Sequence, residues 1–239
     1  MTLFLEILPD LDELIKLSLT LILERIENAL VRQGLPYFSI ALAGGNTPKP
    51  LYEALAKENL PWDKIQVFWG DERYVPNEHP DSNQRMARLS WLDLVEIPSA
   101  NIHPIPTNSN SPSEDAQKYE QELKAFFQVN LPSFDLILLG MGDDGHTASL
   151  FPYTSALNEN DKLVTVGNKG SDPRITLTYP IINESKCVMF LVTGKNKQTA
   201  LSHIFADEAE EQQYPSRGIK PKGELWWLLD ESAGRYLKK

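Results

Sequence analysis

The chain has almost no cysteine and no excess of positive charge, and each shortage excludes a class of protein. Cys187 is the one cysteine among 239 residues, so no disulfide can form within the chain, and a reducing compartment is expected. The formal net charge is −10 at pH 7, whereas nonspecific nucleic-acid binding and docking on anionic membranes both need a basic surface. We therefore expect neither nucleic acid nor membrane as a partner.

Long apolar runs and metal-binding patterns are also lacking. The apolar-rich stretch 17–23 contains Ser18 and Thr20 and is far shorter than a membrane span. The acidic start of the chain lacks the features of a secretory signal, so we expect a cytoplasmic protein. The 4 histidines are dispersed without zinc-ligand spacing, and no Gly-x-Ser-x-Gly motif is present. These absences argue against a zinc site and against a serine nucleophile of that type.

Segments with strand and helix patterns alternate along the chain. Short apolar runs predict strands at 2–8, 38–42, 65–69, 134–139, 163–166, 175–178, 186–193 and 225–229. Helical spacing or capping patterns predict helices after the N-caps Asp10, Thr47, Ser82, Ser111 and Asp230, and another at 196–205, while 206–223 reads as a long loop. This alternation predicts an α/β fold, with an open, largely parallel sheet covered by helices on both faces. We expect a single domain over residues 1–239.

The segment 134–152 carries the clearest chemical pattern. A buried strand is followed by glycines, by the carboxylates Asp143 and Asp144, and by His146. Open α/β sheets build their sites at the carboxyl ends of strands, and glycine lets the backbone approach a ligand closely. Imidazole is the side chain whose ordinary pKa permits proton transfer near neutrality. We therefore predict that His146 is catalytic, and that residues 147–149 begin a helix.

Two other predicted strands end in residues that suit anions. Strand 38–42 runs into Gly44, Gly45, Asn46 and Thr47 just before a predicted helix, where successive backbone N–H groups can bind an anion. A glycine-assisted tight turn remains the alternative there.

Strand 65–69 ends in Asp71, Glu72 and Arg73. Arginine can bind phosphate with two hydrogen bonds, and the alternative is a solvated cluster with an internal salt bridge. Arg174 and Lys195 also lie at element ends, but an isolated cation there is usually just solvated.

Four segments with these patterns occur together, in one order: Ala43-Gly-Gly-Asn-Thr-Pro48, Trp69-Gly-Asp-Glu-Arg-Tyr-Val-Pro76 with Asp81-Ser-Asn83, Gly140-Met-Gly-Asp-Asp-Gly-His-Thr-Ala-Ser-Leu-Phe-Pro152 and Pro173-Arg-Ile-Thr-Leu-Thr178. In these segments the chain resembles the 6-phosphogluconolactonase family. The resemblance implies a Rossmann-like sheet shared with glucosamine-6-phosphate deaminases and ribose-5-phosphate isomerases. It also implies hydrolysis of a phosphorylated sugar lactone, 6-phospho-D-glucono-1,5-lactone, to 6-phospho-D-gluconate in the oxidative pentose phosphate pathway. No metal or organic cofactor is expected.

The resemblance also assigns roles by position. His146 corresponds to a general base that activates water, and Asp144 to a group that orients its imidazole. The implied ligands of the sugar phosphate are Gly44, Gly45, Thr47, Arg73, Arg174 and Lys195. Asp71 lies where the related deaminases keep an acid/base aspartate, and its role here is open. Asn46 stands where family members commonly carry serine, so its contact with the substrate is open as well.

Two other functions compete with the lactonase. Deaminases and isomerases of amino-sugar phosphates typically continue the Asp-Gly-His motif with Asn-Glu-Pro, whereas this chain has Ser149-Leu-Phe-Pro152. A sugar-phosphate sensor would bind without turnover, and such sensors normally carry a basic DNA-binding helix pair that the first part of this chain lacks. The oligomeric state stays open at this stage.

Overall fold

The protein is described by a computed structural model that covers residues 1–206 and 210–237. Its strands are β1 (Thr2–Leu8), β2 (Phe38–Leu42), β3 (Ile65–Trp69), β4 (Asp71–Arg73), β5 (Leu136–Leu139), β6 (Val164–Lys169), β7 (Asp172–Leu177), β8 (Cys187–Val192) and β9 (Glu224–Asp230). Its helices are α1 (Leu11–Glu27), α2 (Lys49–Leu55), α3 (Asn83–Ser90), α4 (Pro112–Phe127), α5 (Tyr179–Asn183), α6 (Gln198–Ile204) and α7 (Glu231–Gly234). None of the helices in these two ranges is long and apolar enough to cross a bilayer.

Six strands form one sheet in the order β1-β9-β8-β5-β2-β3, and every neighbouring pair is parallel. Every residue of β2, β5 and β8 is buried. Continuous apolar runs of this kind are expected where a parallel sheet is covered on both faces. The predicted α/β fold with a largely parallel sheet flanked by helices is confirmed.

Four of the predicted N-caps are confirmed by side-chain hydrogen bonds. Asp10 accepts from the backbone N–H of Glu13 at 2.9 Å. The hydroxyls of Ser82 and Ser111 accept from N–H groups three residues later, and Asp230 accepts from Ala233 at 2.7 Å. Each bond satisfies an N–H that the first turn of a helix leaves without an intrahelical partner.

A second, antiparallel sheet with the order β4-β7-β6 was not predicted. Residues 71–73 are predicted only as the end of strand 65–69, yet they form the separate strand β4 and pair with β7, so that Arg73 lies opposite Arg174. Three polar residues are too few to show strand periodicity. Their partner strand lies about a hundred positions further along the chain, so only the tertiary structure reveals the pairing.

Two local predictions were wrong. No helix begins at residues 147–149, because Ala148 has φ +46° and the Thr147 hydroxyl donates to the Gly140 carbonyl at 2.8 Å. Helix α2 begins at Lys49 with Pro48 as its N-cap, while the predicted cap Thr47 contacts the hydroxyl of Thr193 at 3.0 Å.

The predicted long loop at 206–223 contains a short 3₁₀ helix, Pro215–Gly218. Residues 207–209 of that prediction lie outside the described residues.

Because β5 lies in the middle of the sheet, we expect Ile137→Ala to lower the free energy of unfolding by about 2–5 kcal/mol. Ile137 is 0% exposed, whereas Leu94 is 63% exposed. Leu94→Ala serves as the control and should change the stability by no more than about 0.5 kcal/mol. Urea unfolding followed by circular dichroism measures both, and equal effects would contradict the assignment of β5 to the centre of the core.

Candidate functional site

A cavity of about 260 Å³ lies at the carboxyl ends of β2, β3, β5 and β8, which are neighbours in the sheet. The loops that follow these strands supply most of its wall. Among the predicted site residues, the lining contains Gly44, Gly45, Asn46, Thr47, Asp71, Arg73, His146 and Arg174. Strand ends that are distant in sequence therefore meet at one place, as parallel topology requires.

His146 and Asp144 form a hydrogen-bonded pair at the end of β5. The Nδ1 atom of His146 lies 2.5 Å from Oδ1 of Asp144, and the backbone N–H of His146 donates to the same oxygen at 3.0 Å. An ionised carboxylate only accepts hydrogen bonds, so this contact assigns the ring proton to Nδ1. The Nε2 atom is then left as a proton acceptor.

The charge on Asp144 is stabilised by its partner. Partial burial acts to raise the pKa of Asp144, but the hydrogen bonds from the ring and backbone of His146 outweigh it and lower the pKa to about 2. Asp144 is therefore ionised throughout the pH range in which an imidazole titrates. In that pH range the Asp144 carboxylate therefore stays negatively charged next to the His146 ring.

Glycine at position 142 makes room for this pair. A Cβ atom there would lie 2.1 Å from Nδ1 of His146 and 2.6 Å from Oδ1 of Asp144, which is closer than any real contact. The loop is closed by the Gly142 N–H, which donates to the His146 carbonyl at 2.9 Å. Gly145 has φ +78°, a conformation that glycine adopts without steric cost.

Two arginines lie next to each other in the cavity wall. Arg73 and Arg174 are cross-strand partners in β4 and β7. The Nε atom of each is buried and has no hydrogen-bond partner among the described residues. Burial lowers the pKa of Arg174; Asp71 opposes this effect and Arg73 adds to it. Two like charges with unsatisfied donors in one cavity are suited to an anion such as phosphate.

Phe151 contacts both His146 and Arg174. Its ring centroid lies 4.4 Å from that of His146, and the Cζ atom of Arg174 lies 5.6 Å from the same centroid. The imidazole and the guanidinium are therefore no more than about 10 Å apart. A single sugar phosphate can reach both groups.

Asp71 lies in the cavity wall and is 6% exposed. Its Oδ2 accepts from the Ser149 hydroxyl at 2.6 Å, while Oδ1 has only the Asn83 amide at 3.5 Å. The Asn83 amide also packs against the first glycine loop, since a Cβ at Gly44 would lie 1.8 Å from its Oδ1. Ser149 and Asn83 stand in the recognised motifs, but no role was predicted for either.

Lys195 does not line the cavity and is exposed on the turn after β8. Lys197, two residues later, lines it and forms an ion pair with Asp143 at 3.4 Å. Both lysines belong to one turn of 3₁₀ helix, so no spacing rule could select between them. Lys197 is a cavity residue that the sequence prediction missed.

Metal binding finds no support in these side chains. Within residues 1–206 and 210–237, no group of three or more histidine, cysteine, aspartate or glutamate side chains could hold a metal ion.

Comparison with known proteins places this geometry among characterised enzymes. The family model for glucosamine-6-phosphate isomerases and 6-phosphogluconolactonase matches residues 9–227. A 6-phosphogluconolactonase from Synechocystis is 60% identical over 98% of both chains, and one from Nostoc is 57% identical over 97% of both.

Solved structures agree with this placement. The 6-phosphogluconolactonase from Trypanosoma brucei superposes with a TM-score of 0.84 and is 33% identical over 98% of both chains. A monomeric glucosamine-6-phosphate deaminase superposes with a TM-score of 0.81 at 19% identity, covering 98% of this chain and 99% of that one, and this likeness concerns the fold alone. The chain therefore belongs to the family of glucosamine-6-phosphate isomerases and 6-phosphogluconolactonases.

Proposed function

We propose that this chain hydrolyses 6-phospho-D-glucono-1,5-lactone to 6-phospho-D-gluconate, the lactonase step of the oxidative pentose phosphate pathway. One observation carries the proposal. A carboxylate-oriented imidazole lines the same cavity as two guanidinium groups, whose Nε atoms have no hydrogen-bond partner among the described residues. The lactone needs a base at its ester carbon and cations at its phosphate, so the two ends of the cavity match the two ends of the molecule.

In this mechanism His146 acts on water rather than on the substrate. Its Nε2 removes a proton from a water molecule as the oxygen attacks C1 of the lactone. The same imidazole then returns that proton to the ring oxygen when the C1–O bond breaks. Asp144 holds the ring in the tautomer that this step needs and stabilises the imidazolium that forms. A lactone is already an activated ester, so general base catalysis with positioning is sufficient and no covalent nucleophile is required.

The oxyanion that develops at C1 needs hydrogen-bond donors. The N–H of Gly142 cannot serve, because it donates to the carbonyl of His146. The N–H groups of Gly44 and Gly45 face no acceptor within the described part of the chain, and both residues line the cavity. We assign the N–H groups of Gly44 and Gly45 as hydrogen-bond donors to the substrate.

Arg73 and Arg174 bind the phosphate, while Lys197 adds a third cation to the cavity wall beside Asp143. Binding energy at this remote group fixes C1 against the base. The predicted contact of Lys195 stays a prediction, since its neighbour Lys197 is the lysine that lines the cavity. Asp71 can accept a hydrogen bond from a sugar hydroxyl through its weakly engaged Oδ1.

A lactone-hydrolysis assay coupled to the oxidation of 6-phosphogluconate tests the proposal directly. Slightly acidic buffer keeps spontaneous opening of the lactone slow. A sensor would bind the phosphosugar and consume none, and a deaminase would release ammonia from an amino-sugar phosphate instead. Absence of lactone turnover above the spontaneous rate would overturn the proposal.

We expect His146→Ala to lower kcat by about 10²–10⁴-fold, because it removes the general base. Affinity for 6-phosphogluconate, measured by calorimetry, should stay near that of the parent since the arginines are untouched. His103→Gln is the control, because His103 contacts Glu122 and Gln66 and does not line the cavity. Equal kcat in the His146 variant and the parent would remove His146 from the mechanism.

Gly142→Ala should also lower kcat, by about tenfold or more, because the added Cβ displaces the ring and carboxylate from each other. Gly140→Ala provides the comparison, since a Cβ there meets nothing within 4 Å and leaves the pair intact. The loss of kcat should therefore be clearly smaller in the Gly140 variant. The reverse order of losses would contradict the steric reason given for Gly142.

Arg174→Ala should raise KM for the phosphorylated lactone by about tenfold or more, with a smaller change in kcat, because it removes one phosphate ligand. The matched control is Arg88→Ala, since Arg88 pairs with Asp93 on the surface and does not line the cavity. Initial rates over a range of lactone concentrations separate the two constants. An unchanged KM would count against a phosphate site at β7.

A further inference from the structure

Glu72 is a buried carboxylate that the mechanism above does not use. It is 3% exposed, and it does not line the cavity although both its neighbours in β4 do. Side chains alternate along a strand, so Asp71 and Arg73 point to the cavity while Glu72 points to the opposite side. There it meets the N-terminus of α3.

The Glu72 carboxylate accepts four hydrogen bonds. The N–H groups of Arg73 and Asn83 donate to Oε1 at 2.8 and 2.7 Å. The N–H of Gln84 and the hydroxyl of Ser82 donate to Oε2 at 2.7 and 3.1 Å. Burial raises the pKa of Glu72, and the three N–H donors oppose that rise. The positive end of the α3 dipole further favours the charged form.

These bonds join two short segments, residues 71–73 and residues 81–83, along their whole length. The Asn83 amide donates to the carbonyl of Asp71 at 2.9 Å, and the Arg73 guanidinium donates to the carbonyl of Asp81. Glu72 adds bonds from the backbone N–H groups of Arg73 and Asn83 and from the Ser82 hydroxyl. Two residues of the cavity wall, Arg73 and Asn83, are therefore held through one carboxylate that does not itself line the cavity.

We propose that Glu72 is the positioning residue of the phosphate end of the site, acting through the N-terminus of α3 to hold Arg73 beside Arg174. This inference rests on the proposed function. Two like charges placed side by side repel each other, so the Arg73 side chain needs to be held in position. With Glu72 in place the segment 81–83 is fixed, and the Asp81 carbonyl restrains the Arg73 side chain. Without it, the guanidinium is free to turn towards solvent.

Glu72→Gln is the test variant, because glutamine keeps the shape and loses the charge. Its amide oxygen can satisfy the N–H groups of Arg73 and Asn83, but its NH₂ group then faces the N–H of Gln84, which loses its acceptor. We expect KM for the phosphorylated lactone to rise about tenfold or more while kcat changes less than threefold. The affinity for 6-phosphogluconate, measured by calorimetry, should fall by the same factor as KM rises.

Glu120→Gln is the matched control. Glu120 is also a partly buried carboxylate that accepts two backbone N–H groups, those of Leu163 and Val164 at 2.9 and 3.3 Å, but it lies outside the cavity wall. Its variant should keep the KM of the parent even if its melting temperature falls. A similar rise of KM in both variants would show that general loosening of the fold, rather than positioning, explains the effect.

A double-mutant cycle identifies the group through which Glu72 acts. If it acts through Arg73, then Glu72→Gln should raise KM little further in the Arg73→Ala background. Fully additive effects of the two changes on KM would overturn the inference.

Two further outcomes keep the inference distinct from the proposed function. A parent protein that binds 6-phosphogluconate without hydrolysing the lactone would refute the lactonase, while the Glu72 comparison would still be decided by calorimetry. A parent that binds no phosphosugar would overturn both.

If Glu72→Gln does not fold, Ser82→Ala replaces it, since it removes one of the four donors. A KM that rises about threefold would support the inference, and an unchanged KM would overturn it.

Discussion

The site depends on keeping two positive charges together in a half-buried cavity. Arg73 and Arg174 are neighbours across an antiparallel strand pair, and the Nε atom of each is buried without a partner in the described chain. The two charges repel each other, the Asp71 carboxylate offsets part of this cost, and a bound anion would offset more. The presence of this arginine pair in a protein of net charge −10 shows that cationic groups have been gathered locally. Within the small sheet β4-β7-β6, the antiparallel pairing of β4 with β7 brings the two arginines together.

The opposite end of the cavity depends on the absence of side-chain atoms. His146 and Asp144 occupy the space that a Cβ at residue 142 would fill, and the Asn83 amide occupies the corresponding space at Gly44. Glycine thus has the same use in two loops, although the loops follow different strands. In both cases the missing Cβ admits a polar group into the wall of the cavity, where it can contact a ligand.

Prediction from the sequence succeeded where the signal is local. The strands β1, β2 and β3 have the predicted bounds, because apolar runs between turn residues specify strands. The contact between Asp144 and the His146 ring was implied by the family resemblance, and the two residues lie in one tight loop. Prediction failed at β4, whose three residues have no pattern of their own, and at residues 147–149, where bonds to distant groups override local preference.

The amino-acid sequence by itself determined the α/β class, the parallel strands and the residue types at the strand ends, since periodicity and glycine placement act over a few neighbouring positions. Only the tertiary structure decided which strand ends meet. It placed Arg174 beside Arg73, Lys197 rather than Lys195 in the cavity wall, and Glu72 behind the site instead of within it. The physical reason is that these placements depend on contacts between segments far apart in the chain. Neither segment alone contains a pattern that identifies the other.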